Sequence, residues 1–399
     1  YVNGKDVARY ANGGVITPDH AIRTKAWPLI VPAPEAGKLD TFKAAAHKAA
    51  QQFAANYTEY FERNKKRSPN AAMNDSLPRV VLVPGLGLFG MGATAKDARI
   101  AADVAEAAVE GITGAESIGQ FKSITEADLF DMEYWSLELA KLGARKALPL
   151  AGQIAAITGA GGAIGAATAK AFTDAGAQVA LLDVDVKAAQ DKAKAIGGAA
   201  IACDVTDAKS VSAAFAQVVK TFGGVDIVVS NAGAAWQGKI GEVDEKVLRE
   251  SFELNFFAHQ KVAQAAVKIM LAQGTGGCLL FNVSKQAVNP RPNFGPYGLP
   301  KAATLLLMRQ YALDYGADGI RANGVNADRI RSGILTGDFI KQRSKARGVS
   351  EKEYMTGNLL AREVTAQDVA QAFLAQALAL KTTADITTVD GGNIAAALR

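Results

Sequence analysis

Tyr297 and Lys301 stand in the spacing Y-x-x-x-K, within Tyr297-Gly298-Leu299-Pro300-Lys301, and Ser284 lies thirteen positions before the tyrosine. A carbinol that gives up a hydride must also lose its hydroxyl proton. Free tyrosine, with a pKa near ~10, is not deprotonated enough at neutral pH to act as the base. A nearby ammonium favours the phenolate. Four positions along a helix put Tyr297 and Lys301 on one face, so Lys301 is expected to lower the pKa of Tyr297. Ser284, at the end of an expected strand over Cys278–Val283, is placed to hold the substrate oxygen. Proline is tolerated in a first helical turn, so Pro300 predicts a helix that starts near Leu299, with an altered Tyr–Lys offset.

A second group of residues lies upstream. Thr158-Gly159-Ala160-Gly161-Gly162-Ala163-Ile164-Gly165 follows an apolar run and opens a helical pattern. A glycine loop between strand and helix lets backbone approach phosphates, and the helix start offers unpaired N–H groups and partial positive charge. Asp183 ends the next expected strand, 24 positions beyond Gly159, near the ~20 expected of a ribose-binding acid. Its carboxylate can accept both ribose hydroxyls and would repel the extra phosphate of NADP. The loop carries no Lys or Arg, so NAD is the expected cofactor.

These residues need a framework, and the second half of the chain supplies one. Strands are expected at Ile154–Thr158, Val179–Asp183, Ala200–Cys203, Asp226–Ser230, Cys278–Val283, Ile320–Asn326 and Ile386–Val389. Helices are expected between them at Ala163–Ala175, Val186–Ile196, Lys209–Phe222, Glu245–Gln273 and Tyr297–Tyr315. Alternation of this kind predicts an α/β fold with a doubly wound parallel sheet. Upstream, Thr41–Arg67, Asp97–Ile112 and Thr125–Leu142 read as helices and Arg79–Pro84 as a strand. At 399 residues the chain suits two domains: residues 1–140 and 154–399, joined by a short basic linker at 141–153.

Hydrophobic residues make up 49% of the chain, ample for two cores. A net charge of +5 with no dense basic run beyond Lys65-Lys66-Arg67 gives no nucleic-acid signal. The uncharged stretch Ala147–Ala169 is interrupted by Pro149 and reads as strand, turn and helix start, so no membrane span is expected. Cys203 and Cys278 are the only cysteines. They read as buried free thiols and suit a reducing cytoplasm. The N-terminus lacks a signal pattern, and Tyr1 opens mid-motif, as a fragment would.

Taken together, Ser284, Tyr297, Lys301 and the glycine loop resemble the short-chain dehydrogenase/reductase family. The resemblance implies a Rossmann-type sheet and nicotinamide-dependent hydride transfer. It places Gly159, Gly161, Gly162, Ile164 and Gly165 at the cofactor phosphates, and Lys301 at the nicotinamide ribose. Asp204 and Val205 follow the third strand, where the family contacts adenine. Ser230-Asn231-Ala232-Gly233 resembles N-N-A-G, the turn that borders the cofactor, with serine in first place. Asn255 matches the helix asparagine that holds a water in the proton relay. Val389-Asp390-Gly391-Gly392 also matches. Ala163 departs from the pattern, standing where the family carries glycine. So does Ala327-Asp328-Arg329-Ile330-Arg331, where Pro-Gly is common after Asn326. Arg329, Arg331 and Arg291 are candidates to meet an anionic group on substrate or product; the alternative for each is a solvent-facing arginine. The family commonly forms dimers or tetramers, so a homo-oligomer is expected.

The first part resembles a class II aldolase/adducin-type domain through Gly14–Lys25 and Arg79–Gly92. His20 matches the last metal ligand of such a domain in an intact parent. The preceding H-x-H pair is missing, and His47 and His259 are the only other histidines. A zinc site needs about three protein ligands, so zinc belongs to an intact aldolase domain and is not expected here. Gly85-Leu86-Gly87-Leu88-Phe89-Gly90 also reads G-x-G-x-x-G, but no acid-tipped strand follows and a backbone turn is expected. The whole chain thus resembles bifunctional aldolase/short-chain dehydrogenases of the rhamnulose-1-phosphate aldolase/lactaldehyde dehydrogenase type. That resemblance implies oxidation of a small hydroxy compound or hydrated aldehyde, L-lactaldehyde first. The alternatives are a sugar-alcohol or secondary-alcohol dehydrogenase, and a zinc-dependent aldolase with an accessory dehydrogenase half.

Overall fold

A computed structural model describes residues 1–142, 148–333 and 335–393. The chain folds as two units, residues 1–147 and 148–399. In the first unit, strands β1 (Leu29–Ile30), β2 (Val80–Val83) and β3 (Gly87–Gly90) form a small sheet with β1 parallel and β3 antiparallel to β2. Helices Leu39–Asn64 and Ala95–Ile118 are its longest elements. The run Gly85–Gly90 is the β2–β3 hairpin: Gly85 and Gly87 take φ of +84° and +134°. A side chain on Gly90 would collide with the backbone of Ala98. These glycines therefore serve a turn and a close helix contact.

Tyr57, Tyr60 and Phe130 are fully buried in an aromatic core with Phe61 and Tyr134. Tyr134 stacks on Phe130 with ring centroids 4.6 Å apart, and its hydroxyl lies 2.8 Å from that of Tyr57. The expected helix over Thr125–Leu142 is instead two, Glu126–Glu133 and Ser136–Ala140. Trp135 between them is extended. Seating Tyr134 in the aromatic core overrides helical continuity.

The second unit holds β4 (Ile154–Thr158), β5 (Gln178–Asp183), β6 (Ala199–Ala202), β7 (Ile227–Ser230), β8 (Gly277–Asn282), β9 (Ile320–Ala327) and β10 (Ile386–Val389). They form one sheet in the order β10-β9-β8-β7-β4-β5-β6, with every pairing parallel. Parallel strands are covered on both faces and therefore read as nearly continuous apolar runs, as in Ile227-Val228-Val229. One face is packed by Val211, Phe215, Val262, Met270 and Met308, the other by Phe172, Ala189, Val369 and Phe373. Each fully buried Leu or Phe contributes roughly 1.5–3 kcal/mol. Cys203 and Cys278 are buried free thiols, and burial raises them to about 12 and about 11. Among the described residues no helix is long and apolar enough to cross a membrane.

Two helical readings change in detail. The region Glu245–Gln273 is broken by a π-turn at Glu253–Phe257. The helix bearing Tyr297 runs Gly295–Tyr315, with Pro296 in its first turn and Pro300 inside it. It therefore starts before Tyr297 and not near Leu299, and Tyr297 and Lys301 share one continuous helix. Helices Gly337–Ala346, Glu351–Thr356 and Ala366–Leu378 were not expected. Capping boxes at Ser350/Glu353 and Thr365/Asp368 mark the last two and are the signal that finds them.

Candidate active site

The sheet order reverses direction between β4 and β7, and the crevice beyond the carboxyl ends of such strands is where this architecture binds ligands. The glycine loop leaves β4 there. Gly159 has φ of +63°, and a Cβ on it would lie 2.9 Å from the Cα of Ala232. A Cβ on Gly165 would collide with the carbonyl of Gly159. On Gly162 a Cβ would make ordinary contact at 3.4 Å. A Cβ on Gly161 would be tight, 3.0 Å from Ala188 Cβ, but the steric demand for glycine falls hardest on Gly159 and Gly165. Ala163 is exposed at the first helical position, so its methyl group is not packed into the loop. Gly162 caps the helix Ala163–Asp174 without a side-chain acceptor, which leaves the helix N–H groups available.

Asp183, at the end of β5, accepts from Gly161 N at 2.8 Å and from Asp185 N at 2.9 Å. It therefore faces the loop. Asp204 is exposed beyond β6, its Oδ1 accepting from the backbone N–H and hydroxyl of Thr206. The side chain of Val205 is buried in the core. Asn231 ties three strand ends together. It donates to the carbonyl of Thr158 at 3.0 Å, accepts from Asn282 Nδ2 at 2.8 Å, and its backbone N–H meets Thr158 Oγ1 at 2.9 Å. Ala232 N also donates to Thr158 Oγ1. A Cβ on Gly233 would lie 2.9 Å from Asn255 Oδ1 and 3.5 Å from Lys301 Nζ.

Ser284 follows β8 and caps a short turn by accepting from Gln286 N at 3.2 Å. Its side chain lines the same cleft as Tyr297. Burial raises the phenol of Tyr297, and the neighbouring Ser284 side chain pulls it partly back. Lys301 is 2% exposed, its Nζ donating to Asn282 O at 2.8 Å and lying 3.2 Å from His259 Nε2. Burial lowers it to about 7. Its Nζ is 6.0 Å from the Tyr297 ring centroid. The expectation that Lys301 lowers the pKa of Tyr297 is therefore not met here: both groups lose hydration, and burial dominates each.

Asn255 is fully buried in the π-turn. Its Nδ2 donates to Ala234 O at 2.8 Å, its backbone carbonyl accepts from Thr304 Oγ1 at 2.6 Å, and its Oδ1 has no partner among the described residues. π-turns inside helices often mark functional sites. His259, one turn further on, was not singled out from the sequence because a lone histidine has no spacing signature.

Ser284 and Tyr297 open onto a cleft also lined by Ile164, Arg291, Asp328, Arg329, Arg343 and Arg347. Arg291 pairs with Asp328 at 3.2 Å. Arg329 has φ of +56° and donates to Tyr354 O. Arg331 is exposed, pairs with Glu363 and does not line this cleft. Arg343 and Arg347 come from the unexpected helix Gly337–Ala346 and its end. The guanidinium of Arg343 lies 4.9 Å from the Phe294 ring centroid and 5.2 Å from that of Phe339.

These residues fit a dinucleotide, because the cradle at Gly159 and Gly165 is one that any side chain would fill. They do not fit zinc. His20 is buried with Nδ1 2.7 Å from Thr17 Oγ1 and Nε2 unpartnered. His47 is exposed on a helix, and no cluster of three His, Cys, Asp or Glu that could hold a metal occurs among the described residues.

Comparison with known proteins finds two family matches along the chain. Residues 1–142 match the family described as aldolase class II, second domain. Residues 159–393 match that described as enoyl-(acyl carrier protein) reductase. An uncharacterized oxidoreductase, YuxG, of Bacillus subtilis (strain 168) is 32% identical over all of the chain, which spans about 60% of that relative's length. The 7alpha-hydroxysteroid dehydrogenase of Escherichia coli (strain K12) is 34% identical over 62% of the chain and 96% of the relative. The crystal structure of a short-chain type dehydrogenase/reductase from Mycobacterium marinum superposes with a TM-score of 0.56 at 28% identity, covering 61% of this chain and 95% of that one.

Proposed function

Since the chain belongs, through residues 159–393, to the short-chain dehydrogenase/reductase family of oxidoreductases, we propose that its second unit is an NAD-dependent dehydrogenase of a small hydroxy compound or hydrated aldehyde, with L-lactaldehyde the favoured substrate. The observation that carries this reading is that Ser284 and Tyr297 line one cleft with Ile164 of the glycine-loop helix, and Lys301 lies one helical turn beyond Tyr297. The parent protein would pair this step with sugar-phosphate aldol cleavage in the cytoplasm, and the chain would act as a homo-oligomer.

In this reading the backbone N–H groups of the glycine loop and helix start hold the pyrophosphate. Asp183 exchanges its contacts with Gly161 and Asp185 for the ribose hydroxyls, Asp204 and Val205 border the adenine, and Lys301 reaches the nicotinamide ribose. When bound, NAD supplies the hydride acceptor. Ser284 orients the substrate oxygen, and Tyr297 takes its proton. A hydrated aldehyde is a gem-diol, so loss of that proton and a hydride from carbon leaves a carboxylic acid. Asn255 holds the water through which the proton leaves.

The test is NADH formation from L-lactaldehyde, run in parallel with NADP. Robust turnover with NAD supports the reading; dinucleotide binding without turnover removes the aldehyde assignment. Replacing Asp183 with serine takes away the charge that opposes a 2′-phosphate. The preference of kcat/KM for NAD over NADP is then expected to fall by about tenfold or more.

One observation favours a secondary alcohol as the second reading. Arg343 and Arg347 line the cleft, each against aromatic rings; Arg343 Nη2 donates to Gln237 Oε1 at 2.7 Å, and a substrate carboxylate or phosphate would meet the remaining guanidinium hydrogens. If the substrate is an anionic hydroxy compound, Arg343→Gln is expected to raise its KM roughly tenfold, from the lost charge-assisted bond. The same change would leave turnover of neutral L-lactaldehyde within about twofold, so the pair of substrates decides between the readings.

A further inference from the structure

His259 is 1% exposed and lies against the buried side of Lys301. Its Nε2 is 3.2 Å from Lys301 Nζ and its Nδ1 is 2.6 Å from Ser230 Oγ. Its ring also packs near Phe281, centroids 6.3 Å apart. The groups surrounding the Lys301–His259 contact are Ser230 at the end of β7, the Asn282 carbonyl at the end of β8, Asn255 in the π-turn and Tyr297 on the lysine's own helix. Among the described residues, Lys301 is the one charged group that acts on His259, and no carboxylate acts on either partner.

An ammonium only donates, so beside Lys301 the imidazole Nε2 must accept. Nδ1 then carries the hydrogen and Ser230 Oγ accepts it. One Lys301 hydrogen goes to Asn282 O, a second to His259, and the third remains for the cofactor side. Ser230 is the departure from N-N-A-G noted in the sequence. Its short side chain gives the imidazole both a hydroxyl acceptor and room, so Ser230 and His259 form one feature.

We propose that His259 is a positioning residue for Lys301: the chain Ser230–His259–Lys301 orients the ammonium toward the nicotinamide ribose and holds it protonated where no carboxylate does so. The inference rests on the dinucleotide reading of the site but not on which substrate is oxidised. A hydrogen bond to the charged form favours that form. Losing it deepens the depression that burial already imposes on Lys301, which sits at about 7.

The experiment follows NADH binding by fluorescence against pH in the full chain, together with kcat/KM for whichever substrate is turned over. In His259→Leu the basic limb of NADH affinity is expected to move down by about one pH unit, the equivalent of one charge-assisted hydrogen bond. Turnover at pH 7 is expected to fall about tenfold. His259→Gln, whose amide oxygen can accept from Lys301, should restore both to within about threefold. Lys301→Met should abolish that limb, which assigns it to the lysine. A limb unmoved in His259→Leu, with only the melting temperature lowered, would overturn the proposal, as would failure of His259→Gln to restore a shifted limb. Clean binding shifts without turnover of any hydroxy compound would instead sink the dehydrogenase reading and leave this one standing. No NADH binding by the unaltered protein would sink both.

Discussion

Tyr297→Phe is expected to lower kcat by about 10²–10⁴-fold, the range a positioned acid–base group supplies, while dinucleotide affinity stays within about threefold. The phenyl ring keeps the packing and removes only the hydroxyl, on the cleft wall shared with Ser284. Burial raises the phenol of Tyr297 above its ordinary value, and the oxidation direction needs its phenolate. Turnover should therefore rise with pH on the acid side until the tyrosine ionises in the ternary complex. In Ser284→Ala the side chain that partly offsets burial is lost, so the same acid limb should move to higher pH. Steady-state kinetics across pH, with dinucleotide binding measured alongside, checks both. Tyr297→Phe with undiminished kcat would remove the tyrosine from the chemistry.

The residues of the site were readable because each answers to a local rule. Gly159 needs a positive φ, Gly165 needs the absence of a side chain, and Tyr297 and Lys301 need only a helical turn between them. The strands were readable because a doubly covered parallel sheet leaves apolar runs such as Val179–Leu182. Features set by long-range packing were not. Tyr134 breaks a helix to reach an aromatic core whose Tyr57 and Tyr60 lie seventy or more residues away in sequence. The pairing of His259 with Lys301 joins two helices and carries no spacing signal. Arg343 and Arg347 sit on and after a short polar helix whose periodicity is faint, so two of the cleft's four arginines escaped notice. The offset of Pro300 was misjudged because proline was taken to open the helix, whereas Pro296 already does so.

Lys285→Met is expected to destabilise the second unit by about 3–5 kcal/mol, the cost of leaving one partner of a buried ion pair alone. Lys285 is 3% exposed and pairs with Asp390, while also donating to Asn393 O at 3.0 Å. Asp390 further accepts from Gly392 N at 2.8 Å and Asn393 N at 3.1 Å. Burial alone would raise the Asp390 carboxyl, but the Lys285 bond and these N–H groups outweigh it and hold the group below its ordinary value. A depressed carboxylate contributes stability that is present above its unfolded value and lost as pH falls through the folded one. The unaltered protein should therefore lose this contribution only below about pH 4. In Lys285→Met the balance reverses: burial without the ammonium raises Asp390, and the deficit should shrink as acid neutralises it. Lys285→Met/Asp390→Asn, which removes the stranded charge and keeps one amide oxygen for the turn, should recover much of the loss. Urea unfolding of the three proteins across pH measures this. Because Lys285 adjoins Ser284, and Asp390 opens the turn Asp390-Gly391-Gly392 after β10, the same pair ties the loop that carries Ser284 to the sheet edge. Turnover in Lys285→Met should fall further than its folded fraction accounts for; equality of the two would make the pair a matter of stability alone.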